Sequence, residues 1–418
     1  MATENYDVVV VGAGIAGSAV SVVLARAGLR ILMLEKTLVH KDVTRGEWLA
    51  PWGVNEANRL DLTRLYMEEG AHRIDRHIGY SDLFSAETAE AATMDIGALG
   101  IEKPLCIRHP VACDLLNREA VNLGVEYVRG IQALQVSAGS PPEVSFKADG
   151  ETRTIRPRWV IGADGRNGVV SKQLGCQTFG DPEHHLFSGM LVEGAEDWPD
   201  DLQVIATEGD AHVLAFPQGD GRVRIYLGWP SEDRTRLVGP AGPKNFLESW
   251  RINCVPQAEA IVNATPASPC ISYPNADGWV DQWVHEGVVL VGDAAGRNDP
   301  ITGQGLSITH RDVRLVTDAM LGTKEWRQGI FDEYVAEREE RMARLRTVAR
   351  LTSLRDAAFG ESGYRQRAEI HERMAANPDM AAPFMAAFAG PDALPAECFA
   401  DEFVDAIAGA PLWNPELA

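Results

Sequence analysis

The apolar and polar positions alternate between two rhythms along this chain, and the change of rhythm outlines its architecture. Asp7 to Val11 is a β-branched run that stops at Gly12, the pattern of a strand buried on both faces. Ala16, Ala19, Val20, Val23, Leu24 and Ala27 then recur at helical spacing, and Gly28 stands where a helix C-terminus favours glycine. Leu29 to Leu34 is a second apolar strand, so the opening segment reads as a βαβ unit with both strands parallel in one sheet. From Leu60 to Ala98 the pattern is mixed and polar. Pro110 to Asn122 has helical spacing, Glu126 to Val136 and Val144 to Lys147 read as strands, and Trp159 to Gly162 is a short apolar strand. Between Cys176 and Trp283 the rhythm shortens to period two. His212 to Phe216 and Arg222 to Gly228 flank Gln218-Gly219-Asp220-Gly221, which predicts a hairpin in a mostly antiparallel second layer. Val288 to Val291 returns to the buried-strand pattern, followed by a helix over Leu306 to Met320. Phe331 to Leu354 is long and charged, with Glu337/Arg341 and Glu340/Arg344 four apart, and reads as a solvated helix. The remainder is rich in Ala, Met and Pro and predicts helices and loops.

Composition narrows the partners. Of 418 residues, 45% are hydrophobic, which supports a large core. Lys plus Arg number 39 against 60 Asp plus Glu, a formal charge of −21 that repels nucleic acid and anionic membrane surfaces. The six cysteines are scattered with no Cys-x-x-Cys pair, which argues against a metal site and for reduced thiols in a cytoplasm. Met1 to Tyr6 lacks the basic and apolar regions of a signal peptide, and no apolar run approaches the roughly 20 residues of a membrane span.

The first chemical signal is Gly12-Ala13-Gly14-Ile15-Ala16-Gly17, set between strand and helix. Gly12 permits the tight turn, Gly14 lets a pyrophosphate approach the backbone, and Gly17 lets helix and strand pack closely. The helix N-terminus around Ile15 and Ala16 supplies N–H donors and partial positive charge. Glu35, followed by Lys36, ends the second strand where an acid accepts from ribose hydroxyls and disfavours a 2′-phosphate. The bound nucleotide is therefore FAD or NAD. Two later segments separate these. Asp164-Gly165 follows the apolar strand ending at Gly162, and Gly292-Asp293 follows Val289-Leu290-Val291, continuing through Pro300 to Gly303-Gln304-Gly305-Leu306. Each places an aspartate just past a strand C-terminus, where open α/β sheets bind ligands. Asp293 suits the ribityl hydroxyls of a flavin, and a helix opening at Gly303 to Leu306 favours the negative charge of a reduced one.

Taken together, Gly12 to Gly17, Asp164-Gly165, and Gly292-Asp293 with Pro300, Gly303 and Gly305 resemble the single-component flavoprotein monooxygenase family, typified by p-hydroxybenzoate hydroxylase. The resemblance spans roughly residues 5–345. It adds Arg45 and Arg108 as cofactor contacts and sets Pro300 against the flavin near C4a. It implies an α/β fold with a Rossmann-type FAD-binding domain, like that of glutathione reductase, an inserted antiparallel substrate domain and a C-terminal helical segment. The expected division is 1–75, 101–175 and 281–350 for FAD, 76–100 and 176–280 for substrate, and 351–418 for the helical region. The implied reaction reduces FAD with NAD(P)H, a transient co-substrate, adds O2 at C4a, and uses the hydroperoxide to hydroxylate a small aromatic or apolar substrate. Two stretches depart from the family. Gly168 and Ser171 stand where a Ser and then an Arg are usual, with Lys172 as a substitute charge, and Gly296 stands where His is usual, which is expected to free space near the cofactor.

On the Arg222 to Gly228 strand, Arg222, Arg224 and Tyr226 share one face and Val223, Ile225 and Leu227 the other. Tyr226 and Arg224 are the candidate substrate contacts, although arginines in such strands most often stay in solvent. His184, His185 and His212 are candidate bases for a phenol, and Glu47, Trp48 and Trp52 candidate neighbours of the flavin ring. A reductase, dehydrogenase or epoxidase on the same scaffold is the competing reading, and a monomer or homodimer is expected. A flavin halogenase requires Trp-x-Trp-x-Ile-Pro, which Trp48/Trp52 and Trp279/Trp283 do not match. A flavin-binding protein without turnover is the remaining alternative.

Overall fold

The computed structural model describes residues 5–42, 46–183 and 185–413. Its principal elements in chain order are β1 (Val8–Val11), α1 (Ile15–Arg26), β2 (Ile31–Glu35), α2 (His109–Asn122), β3 (Glu126–Arg129), β4 (Trp159–Gly162), β5 (His185–Glu193), β6 (Leu202–Glu208), β7 (Ala211–Pro217), β8 (Val223–Pro230), β9 (Val288–Leu290), α3 (Gly305–Leu321), α4 (Asp332–Asp356) and α5 (Gly360–Ala376).

One sheet runs β9-β4-β1-β2-β3, all parallel, with Val284–His285 antiparallel at the β9 edge. Val8 sits opposite both Trp159 and Ile31, so β1 is central. Its two faces are distinct cores. Val8, Val10, Ile31 and Met33 pack with α1, α2 and α3, while Val9, Val11, Leu32 and Leu34 meet Val136, Val144, Phe146 and Ile155 of a three-stranded antiparallel sheet. Burial on both faces explains why these strands read as unbroken apolar runs. Each such side chain contributes about 1.5–3 kcal/mol.

The single strand expected over Glu126 to Val136 is two. Gly130 takes φ +72°, ending β3, and Gln132–Ser137 joins the small antiparallel sheet instead. Glycine takes that left-handed conformation without strain, and the pairing of β3 with β2 stops there.

The second sheet has eight strands and carries the expected hairpin. β5, β8, β7 and β6 are antiparallel neighbours, and β6 pairs in parallel with Arg76–Ser81. The turn between β7 and β8 closes with Gln218 N donating to Arg222 O at 2.8 Å, and Gly219, Asp220 and Gly221 all take positive φ. On one face, Val204, Val213, Ile225 and Leu227 pack with Phe246, Trp250 and Ile261. The opposite face carries Gln203, Ile205, His212, Leu214, Phe216 and Tyr226 and walls a cavity.

α4 is the long charged helix, but its inner face is not solvated. Arg338 and Arg341 are buried and both pair with the buried Asp312 of α3, the Arg341 contact at 2.7 Å. A carboxylate in such a place needs compensating donors, and two guanidinium groups supply them. The expected Glu337/Arg341 pair is also present, at 3.0 Å. Beyond α4, Phe384, Met385 and Phe388 return to the cavity. Among the described residues no helix is long and apolar enough to cross a membrane.

Candidate active site

The opening turn is shaped by what glycine omits. A Cβ on Gly12, which takes φ +102°, would lie 2.4 Å from Ala163 O, and one on Gly17 would lie 1.9 Å from Gly12 O. These two glycines therefore let β1, α1 and the residue after β4 meet. A Cβ on Gly14 would meet no described atom within 4 Å, and no side chain caps α1. The amide end at Gly14, Ile15 and Ala16 thus faces open space, as a pyrophosphate requires. The Glu35 carboxylate accepts from Ala13 N at 2.9 Å and from the Thr37 amide and hydroxyl at 2.8 Å each. Burial raises its pKa, but these bonds outweigh burial and leave it below the ordinary value. Lys36 is exposed beside it.

Asp164 folds back on its own chain. Its Oδ2 accepts from Val169 N at 2.6 Å and Val170 N at 3.0 Å, while Oδ1 is buried without a described partner. Burial raises its pKa against those two amides. A Cβ on Gly168 would sit 2.2 Å from this carboxylate, so the departure at Gly168 follows from where Asp164 points. Lys172 is exposed, and Gly165 takes φ +74° over open space.

Asp293 lies half-buried in a turn over Gly292–Ala294 that three unforeseen residues hold. Asp312 accepts from Gly292 N at 2.8 Å, Arg338 donates to Gly296 O at 2.9 Å, and the Tyr334 hydroxyl donates to Leu290 O at 2.8 Å. Tyr334, Arg338, Arg341, Leu345 and Val348 recur at spacings of four and three, the one sequence signal for this inner face. Gly296 frees no space, contrary to expectation. It takes φ +127°, and a Cβ there would come 2.9 Å from Gly278 O, so the Gly278–Val280 strand fills that position.

Further on, Asp299 Oδ1 accepts from Ile301 N at 2.9 Å and caps the turn at Pro300. Burial pushes Asp299 up to about 7 and the adjoining Asp277 up to about 6. A Cβ on Gly303, which takes φ +68°, would lie 3.0 Å from the Trp48 ring. The Gln304 side chain accepts from Trp52 Nε1 at 2.7 Å and donates to Ala387 O at 3.2 Å, tying this loop to the C-terminal region. Trp52 is thereby committed to Gln304. Gly305 opens α3 uncapped and toward open space, with Leu306 packed on the core.

Arg224 is not a surface charge: its side chain is 1% exposed, whereas Arg222 is 39% exposed. Arg224 Nε and Nη2 each donate to Glu47 at 2.8 Å, and Nη2 also reaches Asp42 Oδ1 at 3.2 Å. Arg108 donates to the other oxygen of Asp42 at 2.6 Å. Glu47 further accepts from Gln218 Nε2 at 2.6 Å and His109 N at 2.9 Å. The expected cofactor residue Arg108 and the expected substrate residue Arg224 thus share one ion-pair chain through Asp42 and Glu47, residues in the stretch after β2. Burial lowers the Arg224 pKa, but Glu47 outweighs it and leaves the guanidinium more firmly charged. Arg45 and His184 lie outside the described residues. His185 meets Asn275 Nδ2 at 3.1 Å and takes no part in the cavity wall.

A cavity of about 370 Å³ joins these parts. Asp293, Arg297 and Pro300 border one side, Phe216 and Tyr226 the sheet side, and Phe384 and Phe388 the C-terminal side. Trp48 packs on Phe216 and Phe388 with ring centroids 5.8 and 6.0 Å apart. Burial holds the Tyr226 phenol well above its ordinary pKa. Four buried polar atoms on residues of this wall have no hydrogen-bond partner among the described residues: Trp48 Nε1, Gln203 Oε1, His212 Nε2 and Arg297 Nε.

A dinucleotide turn, two strand-end aspartates and an aromatic chamber beside the third segment define a flavin-dependent oxidoreductase. Residues 5–349 match the family model described as an FAD binding domain, and the chain belongs to that family, among the single-component FAD-dependent monooxygenases. The chain is 28% identical over 311 residues to digeranylgeranylglycerophospholipid reductase 1 of Methanococcoides burtonii, covering 73% of this chain and 71% of that enzyme. It is 25% identical over 337 residues to rifampicin monooxygenase of Streptomyces venezuelae, covering 80% and 68%. The structure of p-nitrophenol 4-monooxygenase from Pseudomonas putida DLL-E4 superposes with a TM-score of 0.75 at 16% identity, covering 90% and 95%. The cofactor is FAD, and the two uncapped, open helix N-termini fit its charged groups.

Proposed function

We propose that the chain is a monooxygenase that takes electrons from NAD(P)H and places one atom of O2 on a small aromatic or apolar substrate held in the 370 Å³ cavity. The observation that carries this reading is the continuity of that cavity from Asp293 and Pro300 to the aromatic wall of the antiparallel sheet. Its volume is within the range of small-molecule sites. Bound FAD supplies hydride acceptance and oxygen activation. The chain supplies the rest. Gly14, Ile15, Ala16 and Arg108 hold phosphates, Glu35 the ribose and Asp293 the ribityl chain. The amides from Gly303 to Leu306 face the ring's electron-rich edge, and Gly12, Gly17, Lys36, Asp164, Gly165, Gly292 and Arg45 complete the FAD site. Pro300 and Tyr226 bound the reacting space. Arg224, locked by Glu47, fixes the wall behind it, and Phe384 and Phe388 exclude water. Residues 1–75, 101–175 and 281–350 form the FAD part, 76–100 and 176–280 the substrate part, and 351–418 the cover.

A reductase is the second reading. It is favoured by Asp164, whose carboxylate turns to the Val169 and Val170 amides in the stretch where the family docks NAD(P)H, with Gly168 and Ser171 in place of the usual Ser and Arg. The reductase among the relatives points the same way. Following NADH and NADPH oxidation with O2 uptake across an aromatic panel distinguishes the two. Substrate-stimulated oxidation with matched O2 uptake is expected, and substrate reduction under anaerobic conditions without O2 uptake would overturn the proposal.

A further inference from the structure

The cavity wall carries one imidazole whose proton can be placed. The Thr207 hydroxyl donates its only hydrogen to Asp356 O, at 2.6 Å. In its 2.9 Å contact with His212 Nδ1, that oxygen must therefore accept. His212 thus carries its proton on Nδ1, and Nε2 presents a bare lone pair. The ring is fully buried and lines the cavity, and Nε2 has no described partner. Burial pushes its pKa down to about 4, so it stays neutral near pH 7. Along β7, His212 is four residues from Phe216, which packs on Trp48 beside Gly303. At strand spacing this sets His212 roughly 13 Å from that end of the chamber. The intervening wall is Leu214 with Tyr226 opposite it. A second buried acceptor, Gln203 Oε1, also lacks a described partner, while its Nε2 donates to His77 Nδ1 at 3.2 Å.

We propose that His212 Nε2 selects the substrate by accepting a hydrogen bond, so the molecule held in the chamber is an apolar, ring-bearing compound with an O–H or N–H donor at the end remote from Trp48. This rests on the reading of the cavity as the substrate site, and it adds the position and polarity of the recognised group. A buried acceptor left unpaired is costly, so a ligand lacking the donor is disfavoured. Thr207 acts through His212, as a positioning residue that keeps the proton off Nε2.

The test titrates the purified holoprotein by calorimetry with 2-naphthol and its methyl ether, 2-methoxynaphthalene. The naphthol is expected to bind about tenfold more tightly, matching one hydrogen bond to a buried acceptor. In His212→Phe the ratio should fall to about one while flavin content per chain stays unchanged. Thr207→Val should lower the ratio by releasing the tautomer, which keeps the test available if His212→Phe folds poorly. Equal affinity of the two probes in the wild type, or an unchanged ratio in His212→Phe, overturns the role of His212 and leaves the chamber as the substrate site. Absence of binding by both probes overturns both readings.

Discussion

The two ends of the proposed site are built by different physics. At the opening turn the main chain is the receptor: Gly12 and Gly17 have no room for a Cβ, Gly14 leaves the helix amides open, and Glu35 sets the edge within about 25 residues. At the chamber proposed for substrate, side chains would be the receptor. Glu47, Arg224, Trp48, Phe216 and Phe388 come from segments up to several hundred residues apart, and their positions depend on buried ion pairs and ring packing. A backbone receptor tolerates change outside its few glycines, whereas a side-chain receptor transmits the loss of one partner to the next. Cofactor retention and substrate handling should therefore fail separately.

The sharpest break is Gly17→Val. Its Cβ would lie 1.9 Å from Gly12 O, and neither backbone can yield, so a loss of about 3 kcal/mol or more and of nearly all bound flavin is expected. Flavin absorbance per chain after gel filtration and the unfolding midpoint check this. Glu47→Gln leaves the Arg224 guanidinium buried with Asp42 as its one charged partner among the described residues, and about 3 kcal/mol of stability should be lost. Pairing Arg224→Met with Glu47→Leu should recover most of it, because an apolar pair has no charge to solvate; urea unfolding of the single and double variants reads the difference.

The third test uses pH. Asp299 is held near 7 when folded, above its ordinary value, so the native state keeps a proton that the unfolded chain releases. Its favourable contribution is complete below about pH 4 and is lost as pH rises through about 7. Asp299→Asn should therefore gain roughly 2–3 kcal/mol on the wild type between pH 5 and pH 8, and a constant difference in urea titrations would contradict this. The smallest effect belongs to Arg222→Ala. Its partner Asp220 is 90% exposed, so a change within about 0.5 kcal/mol is expected, beside the large effect at Glu47, whose partner Arg224 stands two residues further along the chain.

How much of this was legible varies by element. The β1–α1–β2 unit, the β7–β8 hairpin, the helix after Gly303 and the two later aspartates all announce themselves locally, by periodicity or by glycine placement. The long helix α4 announced its existence but not its role. Its Glu/Arg spacing resembles a solvated face, and only the seating of Arg338 and Arg341 on Asp312 makes that face interior. Gly168 and Gly296 were visible as departures, yet their cause lies in the Asp164 carboxylate and in the Gly278–Val280 strand. Arg224 was misjudged as solvent-facing because its counterion, Glu47, is 177 residues away.

By itself the sequence determined the parallel sheet, the dinucleotide turn and the FAD class of cofactor, because strand burial, helix spacing and glycine conformations are properties of neighbouring residues. Only the tertiary structure decided which charges are buried, which tautomer His212 holds and what shape the chamber has. Those depend on partners that distant segments bring together, and the free energy of a buried charge or an unpaired imidazole nitrogen is set by that partner and not by the residues beside it in the chain.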